Sequence, residues 1–248
     1  MSENRSRVWY IFGAAAVLLL WQAASVLADL PIVPRPTAVL DNLGQTFADK
    51  IAPHCFFSLW RIVAGALCAV VIGIPLGLCM GYFPRVDHAL SPVVYLTFPI
   101  PKVALLPVVM LLAGLGETAK IIMIVMIIVF QVIVAVRDGV KSIPGEMYYP
   151  LYSLGAGFTA VLREILIPAS TPRFLSALRI AMATAVSVLF FTETFGTEYG
   201  MGYFIMDAWM RVNYLEMYSG IVILSMMGLF VFAIIDWLER RLCRWQTV

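Results

Sequence analysis

The sequence predicts an all-α integral membrane protein with six transmembrane helices, and three observations carry that prediction. Hydrophobic residues fill 62% of the 248 positions against 13% charged, a balance that a water-soluble fold of this size could not cover. The apolar residues gather in runs close to the roughly 20 that a helix needs to cross about 30 Å of hydrocarbon. The Lys and Arg residues collect on one side of those runs.

Taken in order, the spans are expected at about 8–28, 57–82, 90–115, 119–137, 173–195 and 217–238 of one transmembrane domain covering 1–248. The first follows "NRSR" and ends in "VLA" at Ala28, a pattern shared with cleavable secretion signals. Its apolar run reaches back to Val8, however, and is long enough to span. After it, "LPIVPRPTAVLDNLGQTFADK" combines proline punctuation with spaced apolar residues and reads as a short amphipathic helix at the outer surface. The second span carries Gly65, Gly73, Gly77 and Gly81, with two G-x-x-x-G spacings. These either form a face for close helix packing or reflect the general frequency of glycine in membrane helices. In the third, "FPIPKVALLP" places Pro99, Pro101, Lys102 and Pro107 where a lipid-facing helix would have none. Such a helix belongs inside a bundle or beside a wet cavity, where freed carbonyls find partners.

With both termini in the cytoplasm, the inner side collects Arg5, Arg7, Arg85, Arg137, Lys141, Arg163, Arg173, Arg179, Arg240, Arg241 and Arg244 of the 17 basic residues. Arg35, Lys50, Arg61, Lys102, Lys120 and Arg211 are left for the outer side and the membrane. The reverse orientation would break the positive-inside rule. A formal charge of +2, without a basic and aromatic block, excludes nucleic acid as a partner. Cys55, Cys68, Cys79 and Cys243 have no metal-ligand or disulfide-framework spacing and read as small core residues.

No catalytic constellation emerges. "GVKS" at 139–142 lacks the spacing of a phosphate-binding loop, no H-E-x-x-H occurs, and His54 and His88 fall on opposite sides of the membrane. Neither a cofactor nor a metal is called for. Lys102, about a dozen residues into a span, is costly unless it meets water, solute or a partner. It either lines a pathway for an anionic solute or pairs with a carbonyl freed by a nearby proline. A secondary transporter or channel is the alternative function class, and would show inverted repeats and paired broken helices.

The inner loop, about 138–172, holds "YYPLYSLGAGFTAVLREILIP". Pro150 suits the first turn of a helix, Gly155 a helix end, and a second helical stretch is expected to stop at Pro168. Two short helices across the inner face would make a docking surface. This segment resembles the cytoplasmic loop of ABC-importer permeases, whose pattern is Glu-Ala-Ala, three residues, Gly, nine residues, then Ile-x-Leu-Pro. Tyr149-Pro150-Leu151, Gly155 and Ile165-Leu166-Ile167-Pro168 keep that spacing, although the family's glutamate is absent and Glu146 stands three residues early.

The resemblance extends through "VPRPTAVL", "SLWRIVAG", "IPLGLCMG", "PIPKVALLPVVMLLAGLGETAKI", "FFTETFGTEYGMGYFIMDA" and "LERRLCRW", wording similar to the nitrate, sulfonate and taurine branch. It implies a type I importer fold with a cytoplasmic coupling-helix loop, in the bacterial inner membrane. It also implies a homodimer, cytoplasmic ATP-binding subunits that hydrolyse ATP, and a periplasmic or lipid-anchored solute-binding protein. Coupling would run through Glu146, Tyr149, Pro150, Leu151, Gly155, Ile165 and Pro168. Glu193 matches a recurrent acid of that branch and either lines the gate or braces the outer loop; Gly200 and Gly202 shape the turn that follows.

Overall fold

The computed structural model describes residues 2–246, and the regular structure among them is all helical. The helices are α1 (Ser2–Ala28), α2 (Pro36–Thr46), α3 (Ala52–Tyr82), α4 (Pro84–Thr97), α5 (Leu106–Ala113), α6 (Glu117–Lys141), α7 (Tyr149–Ser153), α8 (Phe158–Val161), α9 (Ile167–Glu193), α10 (Met201–Met210) and α11 (Tyr214–Leu242). The side chains of Arg5 and Arg7, counted on the inner side, lie outside those described.

Among the described residues, four helical segments are long and apolar enough to cross a membrane: Pro36–Tyr82, Glu117–Lys141, Phe158–Glu193 and Tyr214–Leu242. A short helix is expected after residue 34, and α2 occupies that stretch, joined to α3 through a π turn over Phe47–Ile51. The expected third span is not one helix. α4 and the stretch Lys102–Ala113 meet at a bend of 83°, broken at Pro99 to Pro101, and have the length of a span only together. In α1 the apolar helix described is Phe12–Ala28.

The second departure is at Pro168, which does not stop the helix. A π turn over Leu162–Leu166, closed by the bond from Ile167 N–H to Leu162 O, adds a residue just ahead of the proline. Pro168 then sits in the first turn of α9, where a missing N–H costs little. The hydroxyls of Ser170 and Thr171 bond back to Leu166 O at 2.7 Å and Ile167 O at 2.6 Å. The second half of the 146–168 segment is thereby continuous with a long apolar helix.

α6 is the central helix, packed between α3 and α9, with α11 against α9. The α3–α6 contact resolves the glycine question. Built Cβ atoms at Gly65, Gly73, Gly77 and Gly81 would lie within 2.7 Å of Ile124, Val132, Val136 and Val140 side chains respectively. Ala69, fully buried, completes the four-residue spacing, as Ile128 does on α6. A stripe of small residues thus receives a ridge of β-branched ones, whose single preferred rotamer loses little entropy on packing. At Gly77 the added carbon would also lie 2.8 Å from Ile133 O, which cannot swing aside. Gly77→Ala should therefore destabilise the purified chain by about 1–3 kcal/mol, read as a lowered unfolding midpoint in detergent; an unchanged midpoint would show the seam to be loose.

The cysteines correct their expected placement. Cys243 is buried, Cys55 and Cys79 are half-buried, and Cys68 faces outward from α3. Facing outward in hydrocarbon is no penalty for an apolar side chain, so the inside-outside rule of soluble proteins does not sort these residues.

Candidate functional site

The helices carry one polar assembly at each end. At the end where α3 begins, Arg61 is completely buried, and all five of its N–H donors are used. Nε and Nη2 grip both Glu117 oxygens, Nη2 also reaches Thr197, and Nη1 donates to Glu193 at 2.6 Å and to Tyr199 O at 2.8 Å. Glu193 is also fully buried and accepts from Ser58 Oγ and from Gly202 N–H at 2.9 Å. The N–H of Met201 donates to Ser58 Oγ at 2.8 Å and that of Gly200 to His54 Nδ1 at 3.1 Å. The unpaired first-turn donors of α10 are thus satisfied by side chains from α3 and α9, with a carboxylate at the positive end of the helix.

These contacts are the ones that a bracing role for Glu193 needs. Gly200 has φ of +140°, a region closed to most side chains, and a Cβ there would fall 2.5 Å from Glu193 Cδ. At Gly202 it would fall 2.4 Å from Phe190 O. The two glycines shape the turn and leave room for the ion network. Lys120, also buried, donates to the carbonyls of Leu115 at 3.1 Å and Gly196 at 3.4 Å. Arg61 and Lys120 went unrecognised in the sequence, because their partners come from residues 115–117 and 193–199. The one available signal was a pair of bases inside or beside apolar runs.

At the opposite end, Asp87 near the start of α4 is held by Arg137 and Lys141 of α6 and by Ser91 Oγ at 2.8 Å. Beside this anchor lies the 146–168 segment. A short 3-10 turn over Gly145–Tyr148 leads into α7, with Pro150 in its first turn. Gly155, at φ +69°, ends α7 with two closing bonds, its own N–H to Tyr152 O and that of Ala156 to Leu151 O, both 3.0 Å. This is the six-to-one and five-to-two pairing of a glycine-terminated helix.

An aromatic cluster fixes the segment to the end of α3. Tyr82 packs on Phe158 at 5.2 Å and Tyr148 on Tyr152 at 6.0 Å between ring centroids, and the Tyr82 and Tyr152 hydroxyls are 3.1 Å apart. Burial pushes the Tyr148 phenol above its ordinary pKa, so it stays neutral. The predicted residues divide in two. Glu146, Tyr149, Pro150 and Gly155 are exposed, whereas Leu151 packs on the core, Ile165 is buried and Pro168 half-buried. The first group faces outward from the protein and the second roots the segment in it.

Lys102 is the last predicted residue. Its Nζ donates to Thr97 O at 2.8 Å and to Phe98 O, so it fastens the carbonyl end of α4 across the proline break. That pairing is one of the two roles open to Lys102, and it leaves a third N–H donor. It also borders a cavity of about 180 Å³ between the break, α6 and α9. The broken helix has no broken counterpart among the described residues, unlike the paired breaks of inverted-repeat transporters.

Comparison with known proteins agrees with this architecture. Residues 69–244 match the family described as binding-protein-dependent transport system inner membrane component. The taurine transport system permease protein TauC of Escherichia coli is 32% identical over 243 residues, covering 94% of this chain and 88% of TauC. The putative aliphatic sulfonates transport permease protein SsuC of Bacillus subtilis is 25% identical over 236 residues, covering 94% and 86%. The formylaminopyrimidine transport permease protein ThiX of Halalkalibacterium halodurans is 28% identical over 231 residues, covering 93% and 92%. Among solved structures, a chain of the inward-facing MetNI methionine ABC transporter superposes with a TM-score of 0.68 over 77% of this chain and 95% of that one, at 19% identity. With the family model spanning most of the sequence and a relative above 30% identity matched over most of its length, the chain belongs to the binding-protein-dependent transport system inner membrane components, the permease subunits of ABC importers.

Proposed function

We propose that this permease forms the pathway for a small sulfonate-type anion, handed over by a periplasmic or lipid-anchored solute-binding protein and driven by cytoplasmic ATP-binding subunits. The observation that carries the coupling part is α7. It is a single helical turn, closed by Gly155, that presents Tyr149 outward while rooted through Leu151 and the Tyr82 cluster. A partner that pushes on it pushes on α3 through aromatic rings and on α9 through the unbroken helix from Phe158. The solute class is supported by the names of TauC and SsuC.

The chain crosses the inner membrane six times with both termini cytoplasmic, counting α1 and the bent α4–α5 pair as one crossing each, and works as a homodimer. The basic residues near α7 and at the end of α11 support that orientation. Co-purification tests the proposal: the tagged permease should bring down an ATP-binding subunit. In a background lacking the native cysteines, Thr197→Cys should label from outside the cell and Ser142→Cys only after permeabilisation. Solute uptake with no ATPase attached would instead favour the channel or secondary-transporter reading.

A further inference from the structure

The cavity at the proline break has the chemistry of a solute site. Its walls are Phe98, Lys102, Phe130, Gln131, Thr184 and the aliphatic side chains between them. Gln131 is the fifteenth residue of the 25 in α6, and Thr184 lies well inside α9. Both are therefore at membrane depth. The Gln131 side-chain amide makes no hydrogen bond to the described residues, and Thr184 Oγ1 reaches only Ile180 O at a long 3.4 Å. An amide left unsatisfied in hydrocarbon costs several kcal/mol. A face bearing one beside a lysine is poorly suited to lipid and well suited to water or solute.

Lys102 supplies the charge. It uses two of its three N–H donors on Thr97 O and Phe98 O, which leaves one, and its Nζ is 5.2 Å from the Phe130 ring centroid and 5.5 Å from that of Phe98. Fixed by the carbonyls and flanked by rings, the ammonium is held in place beside the cavity rather than free to snorkel. Among the described residues, no carboxylate lines the space. We infer that Lys102, Gln131 and Thr184 form a contact site for the anionic head of a small solute on its way through the membrane. The lysine provides attraction, the amide and hydroxyl provide hydrogen bonds, and Phe98 and Phe130 bound a short tail. This deepens the permease reading above and rests on it.

Charge-selective thiol labelling of the complete permease–ATPase complex in proteoliposomes tests the site without knowledge of the solute. In a background lacking Cys55, Cys68, Cys79 and Cys243, Gln131→Cys is exposed to two methanethiosulfonates of similar size, one carrying a sulfonate and one a quaternary ammonium. Relative to their rates with free cysteine, the anionic reagent should react at least about tenfold faster, the scale of electrostatic focusing in a lined cleft. Methanesulfonate should protect the thiol, and Lys102→Met should abolish the preference. Because Lys102 also fastens α4, Thr184→Cys with Lys102 intact serves as a second probe that cannot be confused with misfolding. No labelling at either position would place this face against lipid, and equal rates or a preference for the cation would remove the anion site. Both results overturn the inference while ATPase co-purification, read on the same preparation, decides the permease reading separately.

Discussion

Arg61→Ala should be the most destabilising single substitution in this protein, lowering its stability by about 3–5 kcal/mol. The change leaves the fully buried Glu193 carboxylate without a counter-ion, and both Glu117 oxygens lose their partners together. The loop through Thr197 and Tyr199 comes free as well, since both are tied to the same guanidinium. Arg61→Lys should rescue little, because an ammonium has three donors on one atom and cannot reach four residues in a planar fork. Glu193→Gln should cost less, as the amide still accepts from Ser58 and Gly202 and Arg61 keeps Glu117. Unfolding of the purified permease in detergent, followed by helical circular dichroism, checks the order. If Arg61→Ala stays within about 0.5 kcal/mol of the parent, the network is ornamental.

Gly155→Asp should leave the permease folded and membrane-inserted, yet cut ATP-driven uptake by about tenfold or more, the loss expected when a central contact worth about 1.4 kcal/mol or more is removed. No atom lies within 4 Å of a Cβ built at Gly155, so the new side chain meets nothing inside the protein and projects from the surface proposed for docking. The left-handed φ of +69° adds a strain of about 1 kcal/mol, and Asp tolerates that conformation better than most residues. Tyr149, exposed beside it, should behave consistently. Tyr149→Ala should weaken ATPase attachment more than Tyr149→Phe, because the ring supplies the contact. The attachment should also depend only weakly on salt, as no charged residue stands where the family's glutamate would be. Normal uptake and full ATPase binding by both Gly155→Asp and Tyr149→Ala would reduce this segment to an ordinary loop.

Much of this was legible in the chain itself. A bilayer imposes a length and a polarity on anything that crosses it, so apolar runs mark where the long helices lie, although the third is broken and the fifth begins as early as Phe158, and Gly155 announces a helix end by lacking the Cβ that a positive φ disfavours. Those are properties of consecutive residues, and consecutive residues are what a sequence displays. The fate of a proline or a buried charge depends instead on what lies across the bundle. Pro168 reads as a stop, but a π turn ahead of it lets the helix continue to Glu193. Pro99 and Pro101 do break their helix, and Lys102 occupies the carbonyls at the break. The glycines of α3 became a packing seam only because β-branched residues of α6 stand opposite at the same spacing. Arg61 and Glu193, 132 positions apart, show the limit most clearly. An isolated base in an apolar run is unfavourable on any local scale, and only the folded chain supplies the carboxylates, hydroxyls and helix N-terminus that make its burial tolerable.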